Sequence, residues 1–181
     1  MKRRSQAGLP ALCLSLSAVL ASFPCWPQPP TAYRTVARAA GIPPQLLYAV
    51  AQAESITQLQ IGHYPWPWTL NVAGKALRFE TRSQACKALR RAINEQGVYA
   101  VDVGLTQQNW GYIGRFRFRE PCDALHPIDN LQSAASLLRQ YYQRTGNWIT
   151  AAGMYHRPAG GAPAQLYERR IRLRLEQSVD R

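Results

Sequence analysis

Pro43-Pro44-Gln45-Leu46-Leu47-Tyr48-Ala49-Val50-Ala51-Gln52-Ala53-Glu54-Ser55 reads as a helix that carries its own start signal and ends on a carboxylate. Leu46, Leu47, Val50 and Ala51 recur at helical spacing on one stripe, and the next position on that stripe is Glu54. Pro43 and Pro44 stand where a first helical turn tolerates proline, so the helix runs about three turns and stops near Ser55. A carboxyl group resting on Leu47 and Val50 loses solvation of its charged form, which raises its pKa and makes it a proton donor near neutrality. The other reading leaves Glu54 at a frayed helix end in solvent, where most glutamates are.

Upstream, Lys2, Arg3 and Arg4 precede an uncharged apolar run from Leu9 to Phe23, with Val19-x-Ala21 at a cleavage-like position. This pattern predicts a signal peptide over residues 1–21, with an uncleaved anchor as the second reading. Residues 22–30 are a Pro-rich leader and residues 31–181 one domain, exported to the periplasm without a stable membrane span. Removing the first 21 residues lowers the formal net charge from +12 to +9. A surface this basic suits anionic partners such as wall polymers, membranes or nucleic acid, and the exported setting sets nucleic acid aside. Export permits disulfides, and with Cys13 in the signal and Cys25 in the leader, Cys86 pairs with Cys122. Buried free thiols are the alternative. His63, His126 and His156 are scattered without ligand spacing, so neither a metal nor any other cofactor is expected.

Along the chain, Thr31 is placed to cap a helix ending at Gly41, and Ala73-Gly74 between two alternating runs reads as a hairpin turn. Ser83 caps the next helix, which Gly97 stops, and residues 98–103 form a short strand. Arg115-Phe116-Arg117-Phe118-Arg119 alternates like a strand or loop with one basic face. Asp129 opens a strong helix closed by Gly146, Asn147 caps another through His156, and a last helix begins at Ala164. The fold class is mainly α with a small β-hairpin insert.

Glu54-Ser55 ending a helix, Gly104-Leu105-Thr106-Gln107, Asn130-Leu131 opening a helix, and Ala151-Ala152-Gly153-Met154-Tyr155-His156 occur in that order. In this order they resemble the lytic transglycosylase family, the soluble lytic transglycosylase domain with a goose-type-lysozyme-like fold, over roughly Thr31 to Tyr167. Members typically show Gly-Leu-Met-Gln and Ala-Tyr-Asn. Thr106 therefore replaces a usual Met, which is expected to alter one wall of the sugar cleft, and His156 stands where Asn is common. The interval between Ser55 and Gly104 is long, and its Trp-Pro-Trp insert resembles that of members linked to conjugative elements, type IV secretion systems or pili.

The resemblance implies a peptidoglycan lytic transglycosylase that cleaves the β-1,4 bond between N-acetylmuramic acid and N-acetylglucosamine and leaves a 1,6-anhydromuramyl end. Glu54 is the implied catalytic acid and base; Ser55, Gln107, Tyr155 and His156 are implied to bind substrate, with Tyr155 holding the Glu54 carboxyl. Gly104, Leu105 and Asn130 are structural beside the site. Tyr64, Trp66 and Trp68 form either a sugar-stacking platform or a cluster anchoring the insert. Asp102 either faces Glu54, which would favour a muramidase-type hydrolase, or is bonded to local backbone. A catalytically silent wall-binding scaffold is the remaining alternative. The expected partners are glycan strands and a secretion, conjugation or pilus apparatus, and the expected state is a monomer.

Overall fold

The computed structural model describes residues 28–177. The signal peptide, Cys25 and most of the leader lie outside the described residues. The element order is α1 (Thr31–Ala40), α2 (Pro44–Ser55), β1 (Ile56–Leu59), β2 (Gly62–Pro65), β3 (Thr69–Val72), β4 (Lys75–Arg78), α3 (Arg82–Gln96), β5 (Val101–Val103), β6 (Gln108–Asn109), the short α4 (Arg115–Arg117), α5 (Pro127–Thr145), α6 (Trp148–His156) and α7 (Ala162–Gln177).

Two hydrophobic clusters divide the interior. The first gathers α1, α2, α5, α6 and α7 around Leu46, Leu47, Val50, Leu131, Leu138, Tyr167 and Ile171. The second packs α3 against a four-stranded antiparallel sheet of order β4-β3-β5-β6, through Leu70, Leu89, Val101, Val103, Trp110 and Leu125. The chain passes from one cluster to the other across a single residue: Val103 belongs to the second, Leu105 to the first, and Gly104 lies between.

The β structure exceeds the expected hairpin. The hairpin turn is at Ala73-Gly74, both at positive φ (49° and 84°), as a right-twisted two-residue connection requires. A second hairpin, β1 with β2, follows α2 directly and leaves no signal in the sequence because His63-Tyr64-Pro65 does not alternate. Only residues 101–103 of the expected strand 98–103 are extended, the first three forming a 3-10 turn.

Several helix starts shift by one to three residues. Thr81 rather than Ser83 caps α3, in a capping box with Gln84. Helix α5 begins at Pro127 before Asp129, and Thr31 is the first residue of α1 instead of its cap. Asn147 caps α6 as expected, accepting from the amides of Ile149 and Thr150. Arg115–Arg119 is not a strand: a π-helical turn at Trp110–Gly114 runs into α4, and Phe118 packs on the second cluster.

Cys86 on α3 and Cys122 in the 3-10 segment Pro121–Leu125 form a disulfide with 36 residues of separation. It fixes the segment that leads into α5. Among the described residues no helix is long and apolar enough to cross a membrane.

Candidate active site

Glu54 ends α2 with only 15% of its side chain accessible. Burial pushes its pKa up from 4.5 to about 7; the Asp102 charge adds to the rise, while Tyr167, Arg170 and Arg174 on α7 oppose it. A carboxyl group in this setting is half protonated near neutrality and can give up its proton and take one back.

The Tyr167 hydroxyl acts on the Glu54 carboxyl as a neighbouring donor, yet no partner meets strict hydrogen-bond geometry around it and its ring is 2% exposed. The two groups adjoin without a formed bond. The His156 ring stacks on Tyr167, centroids 4.4 Å apart and planes within 4°, and brings Nδ1 to 3.9 Å from Glu54 Oε1. Desolvation, with Arg170 next, holds the His156 pKa below its usual value and so favours the neutral imidazole beside Glu54.

Ser55 does not face the cleft. It is fully buried, and its hydroxyl lies 2.7 Å from the Leu105 carbonyl and 3.1 Å from that of Ala51. A substrate cannot reach it, so its role is to tie the end of α2 to the Gly104-Leu105 turn. Tyr155 is likewise corrected: its buried hydroxyl donates to the Thr106 carbonyl at 2.8 Å instead of holding the Glu54 carboxyl. Burial raises its pKa further above the ordinary phenol value, with the Glu54 charge a smaller contributor.

Gly104 has φ +84°, and a Cβ there would lie 2.5 Å from Asn130 Nδ2 and 2.9 Å from the Ala124 carbonyl. Asn130 is 1% exposed and uses both ends of its amide: Nδ2 donates to the carbonyls of Val103 and Ala124, and Oδ1 accepts from the Thr106 amide and hydroxyl. Thr106 itself is fully buried, so it does not line a sugar cleft. Its hydroxyl joins a network through Gln108 to Ser133. A methionine has no group to take that place.

Gln107 follows at positive φ (45°) and spends its amide hydrogens on the carbonyls of Thr69 and Gly104. Its Oε1 is the atom left to accept from a ligand N–H. Trp66 anchors the insert, donating its indole N–H to the Phe79 carbonyl and meeting Trp68 edge to face. Tyr64 instead lines a cavity of about 720 Å³ with Tyr48, Gln52 and Arg174. Among the described residues no group of three His, Cys, Asp or Glu side chains is placed to hold a metal.

Tyr167, Arg170 and Arg174 are not marked as site residues by sequence reasoning, because their helix reads as a solvated arginine face. Their spacing i, i+3, i+7 puts them on one stripe and is the available signal. Asn71, between the apolar Leu70 and Val72, and Asn109 are not marked either; their amides donate to the Asp102 carboxylate at 3.0 and 2.9 Å, so that side chain is bonded to other side chains and not to local backbone.

A buried, proton-exchanging carboxyl between a helical core and a small sheet is the arrangement of a lysozyme-like glycan-cleaving domain. The family model for the transglycosylase SLT domain matches residues 32–166. The chain belongs to this family and is a lytic transglycosylase enzyme acting on peptidoglycan. No match is found among curated proteins or among solved structures.

Proposed function

We propose that the protein is an exported transglycosylase that cuts the β-1,4 bond between N-acetylmuramic acid and N-acetylglucosamine with formation of a 1,6-anhydromuramyl end. The observation that carries this reading is Glu54, buried at the end of α2 with its pKa raised to about 7 by desolvation. In the acid form it protonates the glycosidic oxygen as the C1–O bond breaks. The muramyl acetamido oxygen stabilises C1 on the opposite side. Glu54, now a carboxylate, takes the proton of the C6 hydroxyl as that oxygen closes on C1. Every atom of the substrate is retained and no water enters.

Gln107 Oε1 accepts from an N-acetyl N–H, and His156, half exposed beside Glu54, bounds the same sugar. The insert between Ser55 and Gly104, together with a signal-like N-terminus, supports action in the periplasm, where the enzyme opens the wall locally for a secretion, conjugation or pilus apparatus.

The test is digestion of purified sacculi by wild-type protein and the Glu54→Gln variant, with released muropeptides weighed by mass spectrometry. Fragments lighter than reducing-end products by one water are expected from the wild type, and the variant loses release by roughly 10²–10⁴-fold. Reducing ends as the sole product overturn the lyase chemistry.

A further inference from the structure

The cavity of about 720 Å³ that Tyr64 lines falls inside the range of about 300–1,000 Å³ over which pockets enclose small ligands. Helix α2 supplies one wall, where Gln45, Tyr48 and Gln52 recur at i, i+3 and i+7 and share a face. The Tyr33 ring of α1 meets Tyr48 edge to face with centroids 4.9 Å apart, so this wall is braced on the helical core. His63 and Tyr64 of β2 line the cavity from the hairpin, and Arg174 and Gln177 line it from the end of α7. No Asp or Glu lines it; the residues there that can carry charge are His63 and Arg174, both as cations.

Arg174 decides what this space favours. Its Nε is buried without a hydrogen-bond partner, and among the described residues no carboxylate stands within ion-pair distance of it. Desolvation, with the Arg170 charge next, lowers its pKa, and the Glu54 charge offsets only part of this. A guanidinium that has lost water without gaining a counterion is stabilised by a carboxylate that enters beside it, since the planar fork of N–H donors matches two carboxylate oxygens.

The cavity lies near the acid but not on it. Tyr167 stacks on His156, whose Nδ1 is 3.9 Å from Glu54 Oε1. Arg174 follows Tyr167 by seven residues on the same stripe of α7, about 10 Å along the axis. On α2 and β1, the lining residues Gln52 and Ile56 stand two residues either side of Glu54. A glycan strand of peptidoglycan carries short peptides on its muramyl lactyl groups, and these peptides bear free carboxylates. Extended chain spans about 3.3–3.6 Å per residue, so three residues of such a branch cover the distance.

We propose that this cavity binds the carboxylate-bearing peptide branch of the strand being cut, with Arg174 as the partner of a branch carboxylate and the Tyr48 and Tyr64 rings against its aliphatic parts. The assignment rests on the reading of the protein as a transglycosylase with Glu54 as its acid, and it names the substrate that reading left open: glycan that still carries its peptides, in preference to bare glycan. No bond is made or broken in the cavity; it contributes binding alone.

The test gives the mature protein two substrates, soluble glycan strands with their peptides and the same strands stripped by an amidase. Wild type is expected to show kcat/KM higher on the peptide-bearing strands by roughly tenfold or more, the effect of one charge-assisted hydrogen bond. Arg174→Gln and Tyr64→Ala are each expected to raise KM on peptide-bearing strands and to bring the ratio between the two substrates toward one. Loss of the Arg174 charge also acts on Glu54, but both substrates meet the same Glu54, so the ratio reports the cavity. Calorimetric titration with the free stem tripeptide L-Ala-γ-D-Glu-diaminopimelate is expected to show binding that is lost when its carboxylates are amidated and weakened in Arg174→Gln.

Equal or reversed kcat/KM on the two substrates, or variants that lose equally on both, overturns the cavity assignment and leaves the transglycosylase reading standing. A wild type that releases nothing from either substrate yet binds the tripeptide overturns the transglycosylase reading while the cavity keeps its ligand. A wild type that neither cleaves nor binds overturns both.

Discussion

The Ser55 hydroxyl meets the Leu105 carbonyl at 2.7 Å across 50 residues of chain, fully buried, one residue from Glu54. Through this bond the helix that carries the acid is fixed to the turn that carries Gln107. Ser55→Ala leaves a buried carbonyl without its donor, a loss of about 1–3 kcal/mol. Urea unfolding is expected to show that loss, and activity on sacculi is expected to fall although Ser55 touches no substrate. A variant as stable and as active as wild type contradicts a tethering role for Ser55.

Glu54 makes stability depend on pH in a stated direction. Its pKa rises from 4.5 to about 7 on folding, so the folded chain binds the proton more tightly. The contribution is fully present below pH 4.5 and is lost as pH rises to about 7, amounting to about 3 kcal/mol at 1.36 kcal/mol per unit. Glu54→Gln removes the burden of a buried charge. The variant is expected to melt above wild type at pH 8 and to lose that advantage at pH 4.5. Equal differences at both pH values count against a desolvated Glu54.

Thr106→Met restores the residue common in the family and is nevertheless expected to destabilise this chain. The hydroxyl that bonds Asn130 Oδ1 and receives Gln108 disappears, and a longer side chain enters a position with no exposed surface. Overpacking alone costs about 1–3 kcal/mol. Denaturant midpoints measure it; a variant at or above wild-type stability shows that the network is not required.

Breaking the Cys86–Cys122 bridge by paired serine substitution is expected to lower stability by about 4 kcal/mol for a closed loop of this length. The loss is expected to reach activity too, because Cys122 lies in the segment that leads to Asn130 and the Gly104 turn. Thermal melts with and without reductant check it: reductant lowers the wild-type midpoint and leaves the serine variant unmoved.

Much of the helical scaffold is legible in the sequence because its signals are local. Leu46, Leu47, Val50 and Glu54 declare a face by spacing, Gly41 and Gly146 stop their helices in left-handed turns, and Asn147 caps where it stands. The site is legible as positions but not as contacts. Sequence reasoning sets Ser55, Thr106 and Tyr155 against the substrate, and the structure gives their polar atoms to backbone carbonyls or to Asn130 instead. Side-chain partners 24 to 50 residues away carry no mark in the sequence. The same holds for Asn71 and Asn109, whose meaning depends on the strand register that brings them to Asp102. Arg115–Arg119 misleads for the opposite reason: a true alternation is overridden by the packing of Trp110 and Phe118 on the second cluster.

Val103 and Leu105 are rooted in different cores with one glycine between them. The turn that carries Gln107 is thereby held from both sides, by Val103 in the cluster under the sheet and by Leu105 in the cluster among the helices, beside the bond with which Ser55 fastens the acid-bearing helix.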